Sequence, residues 1–171
     1  RGGGGGVGIV SAVAAVGLGV APNAMLTLDH LNVGKGLHII TGGVKGSAIC
    51  CGNMQKLAFR ADHNMYAERG TLSFFWRSQY PVGPTEFPIF RVAYADSSTW
   101  DAVWLRIDYN GEGFEAFITD INLSRARVAV KLDPFPAPDQ WTHLALSWDE
   151  NWGIRFYVNG KLAAEEYRPA V

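Results

Sequence analysis

Charge is scarce in this chain. Of its 171 residues only 18% are Asp, Glu, Lys or Arg, and 15 basic against 16 acidic side chains leave a formal net charge of -1. Binding to the phosphate backbone of nucleic acid needs a basic footprint, and none exists here. Cysteine is almost absent: Cys50 and Cys51 stand side by side. Adjacent cysteines bridge each other only through a distorted peptide. They read either as two small buried thiols or as partners in an intermolecular or long-range disulfide. No CxxC or zinc-ligand spacing accompanies them. Long apolar runs are missing too. The longest stretch of small apolar residues, Val7 to Ala21, is about 15 residues, short of the roughly 20 that span a bilayer. It reads as the apolar part of a secretory signal, as a buried strand pair or as a packed glycine-rich segment; no membrane span is expected. The five glycines before it, Gly2 to Gly6, lack the following G-K-S/T and the strand-turn-helix setting of a phosphate cradle. There is no G-x-S-x-G elbow and no calcium-binding EF-hand loop.

What the chain does have is hydrophobic and aromatic bulk. Hydrophobic residues make up 48%, and six Trp, six Tyr and nine Phe lie mostly beyond Met65. The composition is that of a folded domain with a real core, and aromatic wealth suits strands. Trp141 to Gly160, WTHLALSWDENWGIRFYVNG, sets the pattern. Leu144, Leu146 and Trp148 alternate with polar or small residues. After a turn at Asp149 to Gly153, Ile154, Phe156 and Val158 alternate with Arg155 and Tyr157. Alternation with period 2 marks strands buried on one face. Asn159-Gly160 then tolerates the positive φ of a tight turn.

The same test predicts strands elsewhere. Leu72, Phe74 and Trp76 share a face from Gly70 to Arg77, with Phe75 making the second face partly apolar. Ile89 to Tyr94 and Val103 to Tyr109 follow, the latter with Leu105, Ile107 and Tyr109 inward and Trp104, Arg106 and Asp108 outward. After the hairpin signal Asn110-Gly111-Glu112-Gly113, Phe114, Ala116 and Ile118 face inward and Glu115, Phe117 and Thr119 outward. Arg125 to Leu132 is another strand, and prolines in Asp133 to Gln140 make a loop. Lys161 to Tyr167 reads as a strand or a helical turn. Upstream, MLTLD near Leu26, LHIIT around Ile39 and QKLAFRAD around Leu57 are short strand candidates. No helix of any length is required. Composition divides the chain softly into a glycine-rich, small-apolar segment, 1–21, and a β-domain, 22–171.

GTLSFFWR at Gly70 to Arg77, PIFRVAY, VWLRIDYNG, GFEAFITD and finally the Trp-x-His strand with IRFYVNGKL resemble laminin-G-like domains of the concanavalin A-like jelly-roll group. The resemblance runs over about Ala58 to Ala164. It implies an all-β, two-sheet antiparallel jelly-roll sandwich, and such domains need strands beyond Asn159-Gly160 to close both sheets. Those strands come either from the first 50 residues or from a larger polypeptide, the reading favoured here. The resemblance further implies a structural role for His143 and one calcium ion at a rim, for which Asp96, Asp101 and Asp120 in predicted loops are the candidates. His30 and His63, each following an aspartate, are too sparse for a metal centre of their own.

The fold supports lectins, adhesion modules, glycosidases and lyases alike, so function must come from residues. The E-x-D-x-x-E strand of retaining jelly-roll glucanases is absent. Asp108 and Glu115 form the one carboxylate pair worth testing for hydrolysis, and they read more simply as a solvated face carrying an Arg–carboxylate pair. For binding, Trp104 and Phe117 lie opposite the predicted core rows. With Trp100 and Tyr94 they would make an aromatic floor flanked by Arg106 and Asp108. A glycan would stack on such a floor; another domain or subunit would cover it equally well. Trp152, in its turn, either stacks on a sugar or covers its own hairpin. The expected function is therefore a secreted or cell-surface structural, adhesion or assembly module with carbohydrate binding and no catalysis. The alternatives are an accessory or partial catalytic domain of a polysaccharide-active glycoside hydrolase or lyase, and a filament or shell subunit that packs its apolar head between chains.

Overall fold

A computed structural model describes residues 8–11, 38–51, 65–93, 103–119 and 126–169. Every regular element in them is a strand. They are β1 (Gly8–Ser11), β2 (His38–Thr41), β3 (Ser47–Cys51), β4 (Arg69–Ser78), β5 (Phe87–Ala93), β6 (Val103–Tyr109), β7 (Gly113–Ile118), β8 (Ala126–Lys131), β9 (Thr142–Asp149), β10 (Gly153–Val158) and β11 (Lys161–Tyr167). They form two antiparallel sheets. The large one runs β11-β10-β9-β4-β1-β3-β2, and the small one is the meander β5-β6-β7-β8. Strands from before residue 52 thus sit beside β4. SAICC is also a strand, and Lys161 to Tyr167 is a strand and not a helical turn. MLTLD and QKLAFRAD lie outside the described residues.

The sheets stack face to face, and their inward rows make one core. Phe74 and Trp76 of β4, Leu144, Leu146 and Trp148 of β9, and Ile154 and Phe156 of β10 meet Leu105, Ile107, Phe114, Ala116, Ile118, Ala126 and Val128 of the small sheet. This is the two-layer solution available to strands with one apolar face. Trp76 centres one end, its ring edge-on to Phe114 at 5.7 Å and to Phe135 at 6.2 Å. Phe135 comes from the proline loop, so that loop plugs the sandwich as well as interrupting pairing. At the other end the Trp148 indole donates to the Tyr66 carbonyl at 2.9 Å.

Trp104 requires a correction. Alternation places it opposite the core, yet it is 7% exposed and belongs to the core cluster. Its ring meets Trp148 edge-on at 5.4 Å. The cause is local. Val92 pairs with Leu105 and Ala93 with Val103, so Trp104 is the extra residue of a β-bulge. A bulge re-aims its side chain and breaks the period-2 count.

Candidate functional site

The outward face of the small sheet holds the other described residues of the expected site. Register sets Arg106 beside Phe117 and Arg127, and Asp108 beside Glu115 and Ala129. Arg106 Nε donates to the Asp108 carboxylate at 2.6 Å, and Arg127 reaches Glu115 at 2.5 Å. The Arg106 guanidinium lies 6.0 Å from the Phe117 ring centre. The Arg–carboxylate pairing is as the sequence suggests, but the face is solvated only at its margins, at Arg91 of β5 and Arg127 and Ala129 of β8. Phe117 is 4% exposed and Asp108 8%. Burial pushes the Asp108 carboxyl above its usual value of 3.8; Arg106 opposes the shift, while Glu115 and Glu86 add to it. Each carboxylate of the pair is engaged by a guanidinium. Tyr94, Trp100, Asp96, Asp101 and Asp120 lie outside the described residues. Among the described residues no group of three or more His, Cys, Asp or Glu side chains is placed to hold a metal ion.

A second face, missed in the sequence, lies on the outer side of the large sheet. Here β4, β9 and β10 align three rows. Phe75 faces His143; Ser73 faces Ala145, which faces Tyr157; Thr71 faces Ser147, which faces Arg155. Small side chains therefore make the floor, and Phe75, Tyr157 and Arg155 rise around it. Ser73 Oγ and His143 Nε2 are 2.8 Å apart, and the Phe75 and His143 rings are 5.0 Å apart. His143 is fixed through its backbone as well: its N–H donates to Asn159 Oδ1 at 2.9 Å, and its carbonyl accepts from the Asn159 N–H at 2.8 Å. Asn159 takes φ of 50° in the β10–β11 turn, which explains the Asn-Gly pair there.

The margins of this face are built differently. At one end Trp152 lies under the Arg155 guanidinium, 3.8 Å from ring centre, and edge-on to Tyr167 at 5.8 Å. Trp152 thus covers its own hairpin. Its turn is held by Asp149, whose Oδ1 accepts from the Asn151 N–H at 2.8 Å and whose carbonyl accepts from the Trp152 N–H at 3.0 Å. At the other end Arg77 stacks on Trp141 at 4.9 Å and pairs with Asp139 at 2.8 Å. Trp141 also packs against Ala48 and Cys50, a small apolar cluster separate from the main core. Cys50 is a buried free thiol, and its sulfur accepts from Gln79 Nε2 at 3.0 Å.

Fold and sequence converge on one family. The Laminin_G_3 model, described as the concanavalin A-like lectin/glucanases superfamily, matches residues 52–170. The chain belongs to that family. No curated protein and no solved structure matches it. Membership defines a module of the generic carbohydrate-binding or adhesion type, and no helix among the described residues is long and apolar enough to cross a membrane.

Proposed function

We propose that the chain is a non-catalytic glycan-binding module acting in adhesion outside the cell, and that its ligand face is the outer side of β4, β9 and β10. The observation that carries this reading is the Ser73–His143 pair, 2.8 Å apart on a floor of small side chains beside Phe75. Saccharides need polar groups that donate and accept, set next to an apolar surface for the C–H face of the ring. Ser73, Thr71, Ser147 and Arg155 supply the first, and Tyr157 and Phe75 the second. The floor leaves room because Ala145 and the two serines are short. The non-catalytic part rests on Asp108 and Glu115, each tied to an arginine. Calcium belongs to the proposal as a rim ion held through Asp96, Asp101 and Asp120, with oxygen ligands suited to it.

The test is a glycan array on the folded chain with and without calcium, followed by titration of Tyr157→Ala and His143→Ala. A defined hit weakened at least tenfold by either substitution supports the reading. A hit that survives both places the site elsewhere. Silence from folded protein, with and without calcium, overturns glycan binding.

A further inference from the structure

Two Asn-Gly pairs occur in the chain, Asn110-Gly111 and Asn159-Gly160. Asparagine before glycine carries its own chemistry: with no side chain beside it, the glycine amide nitrogen can attack the asparagine Cγ. One pair lies in the turn between β6 and β7, the other in the turn between β10 and β11. Their surroundings differ. The first pair is locked. Asn110 Oδ1 accepts from the Glu112 N–H at 3.2 Å and from the Gly113 N–H at 2.9 Å. The Gly111 carbonyl accepts from the Tyr109 hydroxyl at 2.8 Å. A Cβ on Gly111 would stand 2.8 Å from the Pro84 carbonyl oxygen. β6 and β7 are both central strands of their sheet, so neither frays without breaking pairs on two sides.

The second pair is open. Asn159 and Gly160 are both exposed, with φ of 50° and 76°. Among the described residues nothing lies within 4 Å of a Cβ built on Gly160. β11 is the edge strand of the large sheet. Lys161, Leu162 and Ala163, which follow the turn, are exposed, and the β10–β11 register shifts between Phe156 and Tyr157. A hairpin end of this kind opens locally at low cost. Opening lets Asn159 rotate until the Gly160 nitrogen reaches Cγ. Negative charge gathers on Oδ1 as the nitrogen attacks, and the His143 N–H is already aimed at that oxygen at 2.9 Å. A donor so placed lowers the barrier. Because it belongs to β9, it stays in place while Gly160 and β11 move. At Asn110 both donors lie in the turn that would have to open.

We propose that Asn159 is a site of spontaneous deamidation in the folded protein, and that the isoaspartate it leaves releases the end of β9 at His143. The Gly160 nitrogen forms a bond to Asn159 Cγ. The Cγ–Nδ2 bond breaks, and ammonia leaves with the proton that the Gly160 amide gives up. Water then opens the succinimide ring. Opening at the Cγ carbonyl leaves aspartate. Opening at the α-carbonyl leaves isoaspartate, whose main chain runs through Cβ and Cγ. The extra methylene does not fit a two-residue turn. The bonds lost are the two that tie Asn159 to His143, at 2.9 Å and 2.8 Å. His143 in turn holds Ser73 and packs on Phe75, so the change reaches the outer face of the large sheet. The inference does not rest on glycan binding.

The experiment ages the full, folded chain at mildly alkaline pH and maps its peptides by mass spectrometry, with enzymatic detection of isoaspartate. Asn159 is expected to convert about tenfold faster than Asn110. In the denaturant-unfolded chain the two convert at similar rates. Hydrogen exchange on the aged protein reads the consequence. The His143 amide loses protection in the isoaspartate form, and the Ala116 amide, between two paired strands, does not. Freshly prepared Asn159→Asp keeps an acceptor at Oδ1 and keeps the His143 amide protected, which separates the rerouted main chain from mere loss of the side-chain amide. Equal conversion of Asn110 and Asn159 in the folded chain overturns the proposal. So does an Asn159 that survives in folded protein under conditions that convert the unfolded chain. An isoaspartate form whose His143 amide exchanges as slowly as before overturns it too.

Discussion

The indole of Trp148 occupies the space above Gly70: a Cβ built on Gly70 would stand 2.4 Å from the ring. The two residues are directly paired across β4 and β9. In most strand interiors alanine is preferable to glycine, since it costs less backbone entropy. Here the sign reverses. The ring is held by Tyr66 on one side and Trp104 on another, so it has no direction in which to yield. Gly70→Ala is expected to destabilise the fold by about 1–3 kcal/mol, the usual cost of overpacking. Chemical denaturation would read this as a lower midpoint at unchanged slope.

Thr142 presents the opposite case. Its side chain is fully buried at the start of β9, and among the described residues its hydroxyl has no hydrogen-bond partner. A buried hydroxyl without a partner costs the desolvation of that group, and removing it recovers part of the cost. Thr142→Val keeps the shape and the β-branch. It is expected to raise stability by about 1 kcal/mol. A loss of stability in thermal or denaturant unfolding would mean that the hydroxyl is satisfied.

The Asp108 carboxyl links stability to pH. Burial raises its folded-state value above 3.8, against the pull of Arg106. A raised carboxyl favours the folded state when protonated. Its contribution is complete below the unfolded value and is lost as pH rises through the folded one. Unfolding of the wild type and Asp108→Asn across that window should show the wild type losing ground to the variant as pH increases. A wild type that gains on the variant instead would mean that Arg106 outweighs burial.

Much of this fold is legible in the sequence, and the failures are local. β4, β9 and β10 follow period-2 alternation without interruption, so their inward rows from Leu72 to Phe156 are the ones the sequence predicts. Trp104 went to the wrong face because one extra residue in β6 flips the count, and nothing in VWLRIDY announces a bulge. KLAAEEY was ambiguous because alanine and glutamate favour helix; pairing with β10 overrides that propensity. The face around His143 was missed for another reason. Its partner Ser73 is 70 positions away, and a floor made of Ser, Ala and Thr looks blank next to tryptophans. The signal lies in the outward rows of β4 and β9, where Thr71-Ser73-Phe75 runs opposite Ser147-Ala145-His143.

Glu166 joins the two sheets at their margin. Paired opposite Ile154, it points to the core side of β11, and its carboxylate accepts the Arg127 N–H on the edge of β8 while Arg168 stands 3.6 Å from its other oxygen. One side chain therefore caps the edge of the neighbouring sheet. Glu166→Ala should cost about 1 kcal/mol, the net worth of a partly exposed hydrogen bond. Glu166→Gln should cost less, because its amide oxygen can still accept. The sharper reading is local: the Arg127 amide should exchange faster in Glu166→Ala than in the wild type, with the Ala116 and Ile118 amides unchanged. Equal exchange at Arg127 in both proteins would show that the cap contributes nothing in solution.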